Sequence, residues 1–306
     1  MRRTTIFLLL IISLVISACG LPRSQTQNTK IITSFYPLYE IADKVGGNHV
    51  DVHNMVPAGS EPHDYEPTPS DIINLNQARL VIYNGAGMEP WADRIIPDLQ
   101  KNGIPTLNIS ELFQNEMIKN NPLAEDEEKN SPYNAHFWLD PVHYENEVKA
   151  IAEKLSQLNP EYRMDYQKNA QGFIEQIQEL NRAYQNGLQN CKLKNFVTNH
   201  AAFAYLAQRY DLEMIPISGV SPDSEPSPQT MARIAQIMKA KNIHTILTES
   251  LVSPKIADTL AQETGAKTLI LNPLEGLTDK EINEGKSYIQ VMKDNLQNLR
   301  SALECE

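Results

Sequence analysis

The sequence predicts an α/β fold of two lobes, each with a mainly parallel four-stranded sheet and flanking helices, joined by one long rigid helix. Two sets of short apolar runs alternate with amphipathic patterns, which is typical of α/β architecture. A strand-free stretch over 141–190 separates the two sets. The length of 306 residues also favours two domains, because single hydrophobic cores stop growing at roughly 250–300 residues.

The first segment has the layout of a secretory signal peptide. Two arginines precede an apolar run over 6–16, and small residues stand immediately before Cys19. This order resembles the bacterial lipobox, in which the cysteine is lipidated after cleavage. We therefore expect a signal peptide over 1–18, lipidation of Cys19 and a polar tether over 19–29. The protein would then be attached through lipid to the extracytoplasmic face of a membrane, periplasmic or at the cell surface.

The first lobe is expected over 30–140. Four apolar runs predict its strands, and the stretches between them have helical periodicity. The predicted strands span 30–34, 50–55, 80–83 and 106–109, and the predicted helices span 38–45, 70–76 and 91–102. A polar segment over 120–134 contains four consecutive acidic residues, and we interpret it as a loop.

The stretch over 141–190 is expected to be a helical connector. Asn159 and Pro160 interrupt it, which leaves one long helix over 161–189. Apolar residues recur along that helix at Tyr166, Ala170, Phe173, Ile177, Leu180 and Leu188. At a rise of about 1.5 Å per residue the helix would be roughly 43 Å long, a stiff link between the lobes.

The second lobe is expected over 191–306. Its predicted strands span 196–198, 213–217, 245–248 and 268–271, and its predicted helices span 201–210, 229–241, 254–264 and 286–303. Ser227 before Pro228 is typical of a helix start, and Gly265 is typical of a helix end.

Composition excludes some classes of function. The chain has 38 acidic and 27 basic residues, a formal net charge of −11. This charge argues against a nucleic-acid partner, because such binding needs clustered lysine and arginine to displace counterions from phosphate. The body of the chain contains no apolar run long enough to span a bilayer.

Whether the cysteines form a disulfide depends on the compartment in which the protein works. Outside the cytoplasm, Cys191 and Cys305 are candidates for a disulfide, since neither belongs to a CxxC pattern. Two unrelated thiols are the alternative. The first cysteine follows the connector and the second ends the last helix, so both are expected at one pole of the second lobe.

Three of the seven histidines stand where ligands are expected. His63, His136 and His200 each lie at a predicted strand or loop boundary, and His200 directly follows a strand. Ligands of parallel sheets bind outside the carboxyl ends of the strands. The three are far apart in sequence, so spacing alone is a weak indication of a metal site. The other histidines are interpreted as structural, namely His49, His53, His143 and His244.

The sequence motifs around these residues show a more specific resemblance. In chain order they read EPHDYEPTPSD (61–71), HFWLDP (136–141), NHAAFAYLA (199–207), PDSEPSP (222–228) and NPLEGLT (272–278). Together they resemble the metal-specific solute-binding lipoproteins of bacterial zinc and manganese ABC transporters. The resemblance covers nearly the whole mature chain. It implies two lobes joined by a rigid helix, with the metal held between the lobes.

The resemblance also implies a ligand set. His63 and His136 match the two ligands of the first lobe, His200 matches the third and Glu275 the fourth. Three nitrogens and one carboxylate favour Zn²⁺ as the transported ligand, with Mn²⁺ as the alternative. Glu249, at the end of another strand, remains open as an outer group or a substitute ligand. The implied protein is a monomeric receptor that delivers zinc to a membrane permease and is not an enzyme.

Two departures from the family pattern are visible. Many zinc members have a histidine-rich loop before the second ligand. The corresponding segment here, 120–134, contains no histidine. Ala201 stands where an aspartate commonly follows the third histidine. Two other classes of function stay open at this point. One is a secreted zinc hydrolase with three histidines and an open water position, and the other is an adhesin with incidental metal.

Overall fold

The computed structural model of the chain describes residues 28–119, 132–219, 221–222 and 225–306. The predicted signal peptide, Cys19, almost all of the predicted tether and most of the acidic segment over 120–134 lie outside these residues. No helix in the described part of the chain is both long and apolar enough to cross a membrane.

The first lobe contains a parallel sheet with the strand order β2-β1-β3-β4. Its strands are β1 (Thr29–Thr33), β2 (Val50–Asn54), β3 (Leu80–Tyr83) and β4 (Thr106–Asn108), and its helices are α1 (Tyr36–Gly46), α2 (Pro69–Asn76) and α3 (Ala92–Lys101). Neighbouring residues of β1 and β3 enter two apolar clusters, one on each face of the sheet. Burial on both faces explains the continuous apolar runs in the sequence.

Two antiparallel helices follow the first sheet, α4 (Pro141–Leu158) and α5 (Arg163–Gly187). The predicted break at Asn159 and Pro160 is present as a short 3₁₀ turn between them. All six apolar positions predicted for the long helix are buried. Helix α5 has 25 residues, or roughly 37 Å of length, and it contacts helices of both lobes.

The second lobe contains a parallel sheet with the strand order β6-β5-β7-β8, the same topology as the first. Its strands are β5 (Asn195–Thr198), β6 (Glu213–Pro216), β7 (Thr245–Thr248) and β8 (Lys267–Ile270). Its helices are α6 (Ala204–Arg209), α7 (Pro228–Ala240), α8 (Lys255–Thr264), α9 (Asp279–Asn283) and α10 (Tyr288–Ala302). The predicted fold class is therefore confirmed.

Local signals set several helix ends in the second lobe. The Ser227 hydroxyl accepts a hydrogen bond from the Thr230 amide at 3.2 Å, which caps α7 as its sequence indicates. Gly265 has a φ of 71° and ends α8 in the left-handed region. Helix α9 was not predicted. It is a five-residue helix defined by a capping box between Thr278 and Glu281 rather than by an apolar stripe.

The largest apolar cluster continues through the seam between the lobes. Trp138 of the first lobe lies at its centre, where the indole donates a hydrogen bond to the Pro273 carbonyl at 2.7 Å. Tyr288 of the second lobe donates to the Trp138 carbonyl at 2.6 Å and stacks on Tyr144 with ring centroids 3.7 Å apart. The lobes are thus packed as one body on the side that faces α4 and α5.

A disulfide joins Cys191 and Cys305, as predicted. Beside it the Leu193 amide donates a hydrogen bond to the Leu303 carbonyl at 3.1 Å, so the chain end is paired with the segment that enters β5. The disulfide precedes the amino end of β5, whereas His200 follows the carboxyl end of the same strand. It therefore lies at the pole of the second lobe away from His200.

Candidate metal centre

The structure brings His63, His136, His200 and Glu275 together between the lobes. One ligand atom of each side chain lies within 4.8 Å of the others, and this is the only such group of three or more potential ligands among the described residues. The residues come from four separate parts of the chain. Only the tertiary fold assembles them.

Five of the six distances among the four ligand atoms are close to those of a small tetrahedral site. Glu275 Oε1 lies 2.9 Å from His136 Nε2, 3.1 Å from His200 Nε2 and 3.5 Å from His63 Nε2. His136 Nε2 lies 3.2 Å from His200 Nε2 and 3.3 Å from His63 Nε2. Four donors at about 2.0 Å from a tetrahedral zinc ion are about 3.3 Å apart. The donor set and its spacing therefore fit Zn²⁺.

Short turns position the two histidines of the first lobe. His63 belongs to a 3₁₀ turn over Pro62–Asp64, and its amide donates a hydrogen bond to Glu61 Oε1 at 3.2 Å. His136 precedes a second 3₁₀ turn, and Asn134 Oδ1 accepts from both its amide and its ring Nδ1 at 3.0 Å. In each case an acceptor two residues earlier holds the histidine backbone.

Strand ends position the two ligand candidates of the second lobe. His200 follows β5 by two residues, and Glu275 lies beyond the end of β8. Leu274 has a φ of 59°, an uncommon backbone conformation for a residue with a side chain. The Asn272 side chain accepts a hydrogen bond from the Leu274 amide at 2.7 Å and stabilises this turn. The strained turn directs the next residue, Glu275, into the cluster.

Burial and charge differ within the cluster. His136 and His200 are fully buried and Glu275 nearly so, while the side chain of His63 is 10% exposed. Burial lowers the pKa of His136 to about 4, against the opposing pull of Glu275. His136 is therefore a neutral imidazole at physiological pH, the form that coordinates a metal.

The pKa values of His200 and Glu275 shift in opposite directions because each group stabilises the charge of the other. Burial alone would lower the pKa of His200, but the charges and hydrogen bonds of Glu249 and Glu275 raise it well above its usual range. Burial alone would raise the pKa of Glu275, but the charge of His200 and hydrogen bonds from the three histidines lower it well below its usual range. In the metal-free protein a proton on His200 takes the place of a cation.

Glu61 is a further acidic group beside the cluster. Burial and the negative charge of Glu275 raise the pKa of Glu61 to about 9. The Glu61 carboxyl is therefore neutral near pH 7, and it adds an acceptor to the centre without adding a charge.

Hydrogen bonds close the seam around the cluster. Asn134 donates from Nδ2 to the Ala201 carbonyl at 2.6 Å, which links the residue beside His136 to the residue after His200. On the other side, the Gly59 amide donates to the Leu277 carbonyl at 3.0 Å. Each bond joins a loop of the first lobe to a loop of the second.

The remaining histidines lie elsewhere. His49 stacks on Tyr162 with ring centroids 3.9 Å apart, and His143 contacts Glu116 at 3.1 Å. Neither these two nor His53 and His244 join the cluster. Glu249 also stays outside the group of four, and its Oε1 lies 2.7 Å from His200 Nδ1.

Sequence reasoning missed Asn134 and Glu61. The sequence predicts a polar loop that ends at Asn134, and it presents Glu61 only as part of a motif. A shared signal was available, because each stands two residues before a predicted histidine ligand. An acidic or amide side chain at that spacing is able to accept a hydrogen bond from the histidine amide.

Known proteins provide an independent comparison. The ZnuA profile, described as zinc-uptake complex component A periplasmic, matches residues 31–302. The high-affinity zinc uptake system protein ZnuA of Bacillus subtilis (strain 168) is 35% identical over 302 residues, which cover 95% of this chain and 94% of that protein. The zinc-binding lipoprotein AdcA of Streptococcus pneumoniae (strain ATCC BAA-255 / R6) is 35% identical, and the match covers all of this chain but 62% of AdcA.

A solved structure agrees with the sequence comparison. The crystal structure of the Zn(II)-bound ZnuA-like domain of Streptococcus pneumoniae AdcA matches with a TM-score of 0.77 at 36% identity, over 91% of this chain and 100% of that domain. The shared fold and the profile match, which spans nearly the whole described chain, indicate the same family. The chain belongs to the ZnuA family of periplasmic zinc-uptake components.

Proposed function

We propose that this protein is the extracytoplasmic solute-binding component of a high-affinity zinc ABC import system. It captures one Zn²⁺ between its lobes and delivers the ion to a membrane permease. The observation that carries the proposal is the cluster of three imidazole nitrogens and one carboxylate oxygen, all within 4.8 Å of one another. The zinc named in the titles of its relatives supports the same cargo.

The donor set favours zinc over manganese. Zinc is borderline-soft, accepts imidazole readily and adopts tetrahedral geometry without penalty. Manganese prefers oxygen-rich sites of higher coordination number and stands lowest in the divalent affinity order. His200 decides between the two, since it supplies a third nitrogen where an oxygen donor would favour manganese.

The same geometry favours a receptor over a zinc hydrolase. Catalytic zinc keeps one position open for water, whereas structural sites have four protein ligands. Glu275 Oε1 lies within 3.5 Å of all three histidine Nε2 atoms, which places a fourth protein donor beside them. The protein therefore binds zinc without catalysing a reaction.

Each lobe contributes two of the four proposed zinc ligands. His63 and His136 belong to the proposed first lobe (30–140), and His200 and Glu275 belong to the proposed second lobe (191–306), with the connector over 141–190 between them. Occupancy is thereby tied to the relative position of the lobes. A permease that contacts both lobes of the monomer senses this position and opens the site for transfer.

The proposed location depends on Cys19. Cleavage of a signal peptide over 1–18 leaves this cysteine at the N-terminus, where lipid anchors the protein through a tether over 19–29. Stable attachment needs two or more acyl chains, because a single chain binds membranes only marginally. Cys19→Ser is expected to release the protein from washed membranes, and retention of the variant would contradict lipid-only attachment.

Calorimetry on the soluble chain from residue 20 tests the proposed cargo. We expect one zinc ion per chain at neutral pH and much weaker binding of Mn²⁺, with zinc displacing manganese in competition. Equal affinity for the two metals would contradict the zinc assignment. Growth of a deletion strain under zinc limitation tests import, because loss of a hydrolase would not lower the zinc content of the cells.

A further inference from the structure

We propose that Glu249 is the positioning residue of the metal centre, which orients His200 and places a second carboxyl group beside the site of a buried divalent cation. This inference rests on the proposed function. It assigns Glu249 an outer role, although the sequence left open whether this residue is itself a ligand.

Sheet register brings Glu249 to His200. Strands β5 and β7 are parallel neighbours, and Thr198 pairs with Leu247. His200 and Glu249 each follow these paired residues by two positions, so the two side chains emerge side by side at the carboxyl edge of the sheet. The side chains of both are almost completely buried, at 0% and 1% exposure.

One oxygen of Glu249 holds His200 at two points. Glu249 Oε1 accepts from the His200 ring Nδ1 at 2.7 Å and from the His200 amide at 3.2 Å. The proton on Nδ1 leaves Nε2 as the nitrogen that faces Glu275 and His136. Glu249 therefore fixes both the tautomer and the ring orientation that a metal needs.

Among the described residues, the other two histidines have no charged partner of this kind. The ring Nδ1 of His136 faces the neutral amide oxygen of Asn134 at 3.0 Å. In the described part of the chain, no hydrogen bond to the ring Nδ1 of His63 is present. Within the part of the chain that the structure describes, the carboxylate at His200 is thus the one outer group that makes a ligand imidazole more electron-donating by charge.

Charge balance gives Glu249 its second role. The centre is buried, and an uncompensated charge in such a place is costly. Glu275 contributes one carboxylate to the proposed ligand set, and the imidazoles are neutral when they coordinate. Glu249 brings a further carboxyl group to within hydrogen-bond distance of His200, where it is placed to balance the charge of the ion.

Glu249→Gln separates charge from shape. The glutamine oxygen is still able to accept from Nδ1, but the charge is lost. We expect zinc affinity to fall about 10- to 100-fold, the range typical of changes to the partners of metal ligands. Glu249→Ala, which also removes the acceptor, is expected to lose more. Calorimetric competition against a zinc chelator measures both, and circular dichroism verifies that each variant is folded.

Glu147→Gln is the matched control. Glu147 lies on α4, is fully buried and stands outside the metal cluster. Burial and the charge of Asp140 raise its pKa well above the usual range, so it is already neutral. We expect Glu147→Gln to bind zinc as the parent does. An equal loss in both variants would overturn the proposal, because the effect would then be a general one of core carboxyl groups.

Nuclear magnetic resonance provides a readout that a merely structural role would not change. Long-range ¹H–¹⁵N correlation of the zinc-loaded parent should show a protonated Nδ1 and a metal-bound Nε2 at His200, and Glu249→Ala should shift or broaden these signals. Zinc affinity of Glu249→Gln within twofold of the parent would overturn the role of Glu249 and leave the proposed function intact. Failure of the parent to bind zinc at all would instead overturn the proposed function.

Discussion

His63 and His136 reach the metal centre from turns and loops of the first lobe, whereas His200 and Glu275 of the second lobe lie just beyond strand ends. The first pair is held by acceptors two residues earlier in the chain, Glu61 and Asn134. The second pair is set by sheet register and by a strained turn at Leu274. Equivalent sheets thus contribute to one centre in different ways.

The two halves also differ in charge. Glu275 and Glu249 both belong to the second lobe, and their charges keep a proton on His200 in the metal-free protein. The first lobe contributes His136, which is neutral, and His63, which is partly exposed. We therefore expect the second lobe to contribute more to the strength of zinc binding than the first.

His200→Ala should have the largest effect on zinc binding. It removes a nitrogen ligand and leaves the carboxylates of Glu249 and Glu275 buried without their cationic partner in the metal-free state. Zinc affinity is expected to fall by more than about 100-fold, since loss of an outer partner alone costs up to about that factor. Calorimetric competition against a chelator measures the change.

His63→Ala tests the other half of the centre. His63 is the most exposed of the four, so water is able to take its place, and we expect a smaller loss than for His200→Ala. His143→Ala should leave zinc affinity unchanged, because His143 lies outside the cluster. A loss at His63 as large as that at His200 would contradict the unequal roles of the lobes.

Zinc binding is expected to release a proton from the second lobe. The pKa of His200 is raised in the metal-free fold, so this imidazole is protonated at neutral pH, whereas His136, with a pKa of about 4, is not. Because zinc requires the neutral form, binding displaces about one proton at pH 7. Zinc affinity should therefore keep rising with pH above about 6.5, the usual histidine value.

Calorimetry in two buffers of different ionisation enthalpy counts these protons. His200→Ala should abolish the release at pH 7 and His63→Ala should preserve it. Zinc binding to the parent with no proton release, or with affinity independent of pH between 6.5 and 8, would show that His200 is already neutral.

The disulfide should have the smallest effect on zinc. Cys191 and Cys305 close a loop over a separation of 114 residues at the pole away from His200. Replacing both by serine should lower the free energy of unfolding by up to about 4–5 kcal/mol in the chain-entropy account. Zinc affinity of the folded double variant should stay unchanged. Denaturant unfolding and calorimetry separate the two quantities, and a large loss of affinity would mean that the two poles are coupled.

Sequence patterns predicted the fold more completely than the site. All eight strands were predictable from short apolar runs that alternate with helical patterns, and the long helix was predictable from the apolar stripe of α5. Helix α9 was not, since it has no buried residue and its signal is a capping box. Propensity and periodicity describe segments that bury a face, and α9 buries none.

Assembly of the metal centre depended on long-range topology. His63, His136, His200 and Glu275 are too far apart in sequence for spacing to connect them, and only resemblance to a family identified them in advance. The place of Glu249 was open because the sequence does not give the pairing of β5 with β7. That register determines whether Glu249 contacts the metal or the ring of His200.

X-ray absorption at the zinc edge of the loaded protein counts the imidazoles that bind the ion. We expect one zinc ion with four nitrogen or oxygen donors at about 2.0–2.1 Å, three of them imidazoles. His200→Ala should reduce the imidazole contribution to two, and Glu249→Gln should leave it at three. A parent spectrum with fewer than three imidazoles, or with five or six oxygen-rich donors, would contradict a closed zinc site built from His63, His136, His200 and Glu275.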